Sequence, residues 1–135
     1  MNVQLTYNEI MNYVKSQFHV EPIMEAVDSK TLRITYKMNM FVPAVSVDLH
    51  VDSISNGTVV LSYRCSDIVN GLLKGIIGFV EDKIPSHQVG IFTDTKQVLV
   101  HLDAFEELDK VLALVEPTDI SFNDKSAELK LLLKS

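Results

Sequence analysis

A chain of 135 residues, 47% hydrophobic and 22% charged, has the size and composition of one folded domain with its own core, which argues against a disordered protein. Its net charge of −6 argues against nucleic acid and anionic lipid surfaces as partners, and an aromatic content of 7% without tryptophan argues against a base-stacking platform. A single cysteine, Cys65, excludes an intrachain disulfide.

The opening MNVQLTYNEI has neither a basic stretch nor the apolar core of a secretory leader, so the expected compartment is the cytoplasm. It runs directly into a helix. Thr6 to Glu9 spells T-Y-N-E, a capping box. Tyr7, Ile10, Met11, Val14 and Phe18 then fall on one helical face, and His19 to Pro22 ends it. Residues 23–28 suit a short strand, and Ser29-Lys30 a tight turn.

Leu32, Ile34, Tyr36, Met38 and Met40 alternate with polar residues, the period-two signature of a half-buried strand. Pro43 interrupts. Val45, Val47, Leu49 and Val51 alternate with Ser46, Asp48, His50 and Asp52, and Asn56-Gly57 is a strong hairpin signal. Val59, Leu61, Tyr63 and Cys65 form the inward set of the returning strand.

Residues 67–84, DIVNGLLKGIIGFVEDKI, predict one strongly apolar helix. Ile68, Val69, Leu72, Leu73, Ile76, Ile77, Val80 and Ile84 sweep about half its circumference at roughly 100° per residue. Asp67 is placed to cap the start, and Pro85 follows the end. Gly71, Gly75 and Gly78 leave a smooth strip beside the apolar arc. Each costs roughly 1 kcal/mol of helix stability relative to alanine, so a close contact is expected to offset them. Lys74 and the acidic end make the apolar run too short for a membrane span of about 20 residues. No transmembrane segment is expected.

Beyond this helix, Val89 to Phe92 and Gln97 to Leu102 read as a second hairpin through Thr93–Lys96. Phe105 to Lys110 suits either a short helical turn or a loop. Val111 to Val115 is a compact apolar run, and Pro117 marks a bend. Ile120 and Phe122 end a strand, residues 123–126 turn, and residues 127–133 finish the chain. Leu131 to Leu133 are consecutive, which implies cover on both faces of the last strand.

These elements add up to one α+β domain over residues 1–135: a strongly curved antiparallel sheet wrapped around one long apolar helix, with an additional N-terminal helix. In Leu32–Arg64, in Ile68–Ile84 and in EPTDISFNDKSAELKLLL at 116–133, the pattern resembles the tubular lipid-binding (TULIP-like) proteins and related small bacterial domains. The resemblance covers about two thirds of the chain and rests on pattern, without a diagnostic motif. It implies an apolar molecule or lipid held between a long helix and a wrapped sheet.

For chemistry, Asp48, His50 and Asp52 share one strand face at i, i+2, i+4 and form a candidate set for zinc or manganese. The simpler reading is a solvated strand face, because the residues between them are apolar and no further ligand is evident by spacing. His101 and Asp103 share a face without a nucleophile in a recognisable context. Cys65 suits a buried structural thiol. No phosphate-cradling glycine loop, CxxC or HExxH is present. The leading expectation is thus a non-enzymatic, cofactor-free binding domain for an apolar, lipid-like ligand or a partner's apolar segment. The expected lining is Leu72, Gly75, Ile76 and Phe79 with Met38 and Met40 opposite. The alternatives are an assembly protein that forms a homo-oligomer without a pocket, and a metal-dependent hydrolase built on Asp48, His50 and Asp52.

Overall fold

The computed structural model describes residues 1–36, 44–65 and 70–134. In chain order these form β1 (Asn2–Thr6), α1 (Tyr7–Phe18), β2 (Ile23–Asp28), β3 (Thr31–Tyr36), β4 (Val45–Ser55), β5 (Thr58–Arg64), α2 (Asn70–Lys83), β6 (Val89–Phe92), β7 (Gln97–His101), a 3-10 turn (Leu102–Ala104), α3 (Glu106–Leu112), β8 (Val115–Phe122) and β9 (Ser126–Leu133). The strands make two antiparallel sheets, a six-stranded one in the order β2-β3-β4-β5-β7-β6 and a three-stranded one in the order β1-β9-β8.

Register and alternation divide each sheet into an apolar and a polar face. Across the larger sheet, Leu32 pairs with Leu49, and Leu49 with Tyr63; Val51 pairs with Leu61, and Leu61 with Val98. On its other face Arg33 pairs with Asp48, and Asp48 with Arg64, while His50 lies between Thr31 and Ser62. In the smaller sheet, Val3, Leu129 and Ile120 form one apolar row, and Leu5, Ala127 and Phe122 the next. β4 packs against β8, and the two apolar faces supply the core: Leu32, Val45, Val51, Val59 and Tyr63 from one sheet, Val115 and Leu131 from the other. Tyr7 of α1 joins them, its hydroxyl donating to the Asn123 carbonyl at 2.7 Å.

Several local predictions hold. Thr6 and Glu9 make the reciprocal capping box, and α1 ends at His19 in the left-handed region. Asn56 and Gly57, with φ of 52° and 77°, form the β4–β5 turn, as a two-residue turn with both φ positive requires. The turn between β2 and β3 joins the sheets. The Ser29 carbonyl accepts from Phe122 N–H at 2.8 Å, the Lys30 carbonyl accepts from Val51 N–H at 2.9 Å, and Lys30 Nζ donates to the Ile120 carbonyl at 2.8 Å while pairing with Asp119.

The wrapped-helix architecture is overturned. The three α-helices among the described residues are short, at 12, 14 and 7 residues. Among the described residues, the buried apolar side chains come from strands apart from Tyr7 and Pro22. On α2 none of the described side chains is buried: Ile77 and Val80 are half-buried, and Lys74, Gly78, Glu81, Asp82 and Lys83 are exposed. A Cβ added at Gly78 meets nothing within 4 Å, so no close contact offsets that glycine. Helical periodicity shows which side of a helix is apolar, not what covers it. Here strands of both sheets supply most of the described buried apolar side chains, with β4 packed against β8, and a sheet wrapped around one long helix is not what forms. Residues 66–69, with the expected Asp67 cap, lie outside the described residues.

The sequence reading also ran the chain straight into α1 and missed β1. Its signal was present in Met1, Val3 and Leu5 alternating with Asn2, Gln4 and Thr6. Five residues before a strong capping box were too few to stand out. Their pairing with β9 is the most distant in sequence among the described residues.

Candidate functional site

The residues expected to line a pocket are placed as follows. Leu72, Gly75, Ile76 and Phe79 belong to the α2 backbone, and their side chains, like Met38 and Met40, lie outside the described residues.

Asp48, His50 and Asp52 do project from the polar face of β4, but each is engaged by a different neighbour. Arg33 donates to Asp48 through Nε at 2.8 Å and through a second guanidinium nitrogen at 3.2 Å. Those two bonds hold the guanidinium pKa above its ordinary value. His50 Nδ1 lies 2.9 Å from Thr31 Oγ1. Asp52 accepts from Ser62 Oγ at 3.1 Å, where the register shifts between Val51 and Ser53. Among the described residues no three His, Cys, Asp or Glu side chains converge as metal ligands. The trio forms rungs of a cross-strand polar ladder that continues with Thr35 and Ser46, 2.9 Å apart. His101 is engaged likewise, its Nδ1 at 3.1 Å from Thr58 Oγ1, while Asp103 packs over the Gly57 turn. Cys65 is half-buried.

Several clefts indent the described surface. One of about 810 Å³ lies between the end of α1 and β3, lined by Asn12, Lys15, Ser16, His19, Glu21 and Tyr36. A second, of about 460 Å³, overlies the polar ladder around Asp28, Thr31, His50, Ser62 and Arg64. Its Asp28 carboxylate accepts from Lys30 N–H at 2.8 Å, which lowers the Asp28 pKa, with the Thr31 hydroxyl adding to the effect. Each mixes polar with apolar lining, through Val20 and Tyr36 in the first and Val27 and Tyr63 in the second.

The third cleft, of about 640 Å³, combines an apolar floor with a charged rim. It opens where the β4–β5 turn, α3 and the adjoining ends of β8 and β9 meet. Val115 and Pro117, both buried, make the floor, and Leu112, Ala113, Leu132 and Leu133 rise beside it. Leu132 is 60% exposed and Leu133 72%, with exposed Leu114 and Val111 adjoining. The backbone fixes this geometry: Leu102 N–H donates to the Gly57 carbonyl at 2.8 Å, Leu114 N–H to Val111 at 3.0 Å and Lys134 N–H to Leu114 at 2.9 Å. Around the rim stand Asp103, Asp109 and Glu116 against one cation, Lys134. Among the described residues that line it there is no nucleophile with an adjacent base. The chemistry it offers is burial of apolar surface beneath carboxylates.

The sequence reading missed this site. Three consecutive leucines implied cover on both faces of β9, yet only Leu131 is buried. Period-two alternation assigns Leu132 to the polar face, and Leu133 lies at the strand end opposite Val115. No family model, curated protein or solved structure matches this chain.

Proposed function

We propose that this chain is a non-enzymatic interaction module that takes up an apolar, basic-flanked segment of a partner polypeptide in the cleft between α3, β8 and β9. The observation that carries this reading is that a cleft lined by buried Val115 and Pro117 is also bordered by Leu132 and Leu133, which are 60% and 72% exposed. Scattered exposed leucines are ordinary, but adjoining ones that border a cleft mark interaction surfaces. Three carboxylates against one ammonium at the rim favour basic flanks on the segment and disfavour acidic ones. An open, acidic-rimmed groove suits a polypeptide, whose backbone and flanks remain in water, better than a fatty chain that needs enclosure.

The test is fluorescence anisotropy with three labelled probes: a short leucine–lysine peptide, its leucine–glutamate twin and a fluorescent fatty acid. The first binds and the twin does not. Replacing Leu132 and Leu133 by serine weakens binding at least about tenfold, or about 1.4 kcal/mol. Uptake of the fatty acid in preference to both peptides would transfer the site to lipid-like ligands. Equal binding of both peptides, or binding unaffected by the serine substitutions, would rule out the proposed groove.

A further inference from the structure

The two sheets present four edges among the described residues: β2, β6, β1 and β8. Exposed edges template unwanted pairing, and proteins blunt them with charge, proline, bulges or brevity. β2 carries Glu25 and a register shift between Ala26 and Asp28. β8 carries Glu116, Pro117 and Asp119 with a shift between Pro117 and Asp119, and its end is bonded to Ser29. β6 has only four residues. β1, NVQLT, has no charged side chain, no proline and no bulge, and all five of its residues are exposed.

The backbone pattern shows what β1 offers. Leu131 N–H donates to the Met1 carbonyl at 2.8 Å, and the Met1 amino group to the Leu131 carbonyl at 3.3 Å, so these residues are a hydrogen-bonded pair. Antiparallel alternation then turns the backbone groups of Val3 and Leu5 toward β9 and those of Asn2 and Gln4 outward. Thr6 N–H is taken by Glu9 Oε1 at 3.1 Å, which ends the outward row.

We infer that β1 pairs antiparallel with β1 of a second copy of this chain, about a two-fold axis through Val3. That axis sets Asn2 opposite Gln4 of the second copy, and the reverse, giving four N–H···O=C bonds from groups that have no partner among the described residues. It joins the two small sheets into one of six strands. Val3 meets its counterpart and Met1 meets Leu5 across the axis, on the face where they are 41%, 65% and 49% exposed. Symmetry selects the same occupant, because the outward groups of Asn2 and Gln4 flank Val3 equally and a second β1 satisfies all of them. Two copies each carrying −6 repel one another, but none of the side chains of β1 is charged, so this repulsion acts at longer range and is screened by salt. This pairing is independent of the cleft beside α3.

Analytical ultracentrifugation of the full chain across a concentration series tests it, with two variants. Gln4→Pro deletes an outward N–H while leaving the β9 ladder intact, since an edge strand tolerates proline where its N–H faces solvent. Val3→Lys places like charges at the axis. The unaltered chain is expected to reach twice 15.2 kDa at high concentration, and at lower concentration in higher salt, which screens the repulsion. Both variants are expected to stay at 15.2 kDa. If Gln4→Pro fails to fold, Val3→Lys decides alone. A chain that is monomeric throughout the series, or a dimer that survives Val3→Lys, overturns the inference. Peptide binding at the cleft is unaffected by either result.

Discussion

Lys30 sits where the backbones of β3, β4 and β8 converge, and its ammonium reaches Asp119 and the Ile120 carbonyl. The hydrogen bond from Lys30 holds the Asp119 carboxyl below the ordinary aspartate range, with the Lys30 charge adding to it. The sign follows directly. A depressed folded pKa stabilises fully above the unfolded value of about 3.9 and is lost as pH falls through the folded value. Both side chains are more than a third exposed, so the contribution at neutral pH is about 0–1 kcal/mol. Urea unfolding of Asp119→Asn is therefore expected to lose less stability than the unaltered chain between about pH 6 and about pH 3. Equal losses would show the pair to be inert. Two glycines make a sharper contrast. Gly57 holds φ at 77°, where a side chain is strained, so Gly57→Ala is expected to lower stability by about 1–2 kcal/mol. Gly78 lies in a helix with open space at its Cβ, so Gly78→Ala is expected to raise it by about 0.4–1 kcal/mol. Thermal melts of the two variants should move in opposite directions. A Gly78→Ala that destabilises would restore the close-packed glycine strip.

Individual elements differ in how openly the sequence announced them. α1 was legible because a capping box fixes its first turn chemically, and the β4–β5 hairpin because Asn-Gly supplies both positive φ values. β3, β4 and β5 showed themselves by strict alternation, since each has one face in the core and one in water. β1 escaped notice because a five-residue edge strand gains its stability from β9, far along the chain. The end of β9 was misread for a related reason. Consecutive leucines report apolar character on both faces, and cover on the second face is a property of neighbours. Substitution separates the two environments. Leu131→Ala is expected to cost about 2–5 kcal/mol, whereas Leu132→Ala stays within about 0.5 kcal/mol. Denaturant melts of both variants check this, and comparable losses would mean that Leu132 is buried.

For the whole molecule, antiparallel strands were readable from periodicity, but the predominance of sheet and the way the strands assemble were not. A long apolar segment in a chain of strands suggests a central helix, because apolar surface must be covered by something. Periodicity is equally satisfied when two sheets cover each other, and the choice is made by contacts such as β4 with β8 that no local pattern encodes. The candidate site suffered most from this. The motif-like trio Asp48, His50 and Asp52 turned out to be ladder rungs, and the cleft beside α3 gathers residues from Asn56 to Lys134.

That cleft carries the proposed function. Its most direct test is an NMR titration of nitrogen-labelled protein with the leucine–lysine peptide. Saturable shifts are expected in the amides of Leu112, Ala113, Val115, Leu132 and Leu133, with none from the leucine–glutamate twin. Shifts confined to α2 or to the cleft at the end of α1, or no shift with either peptide, would contradict it.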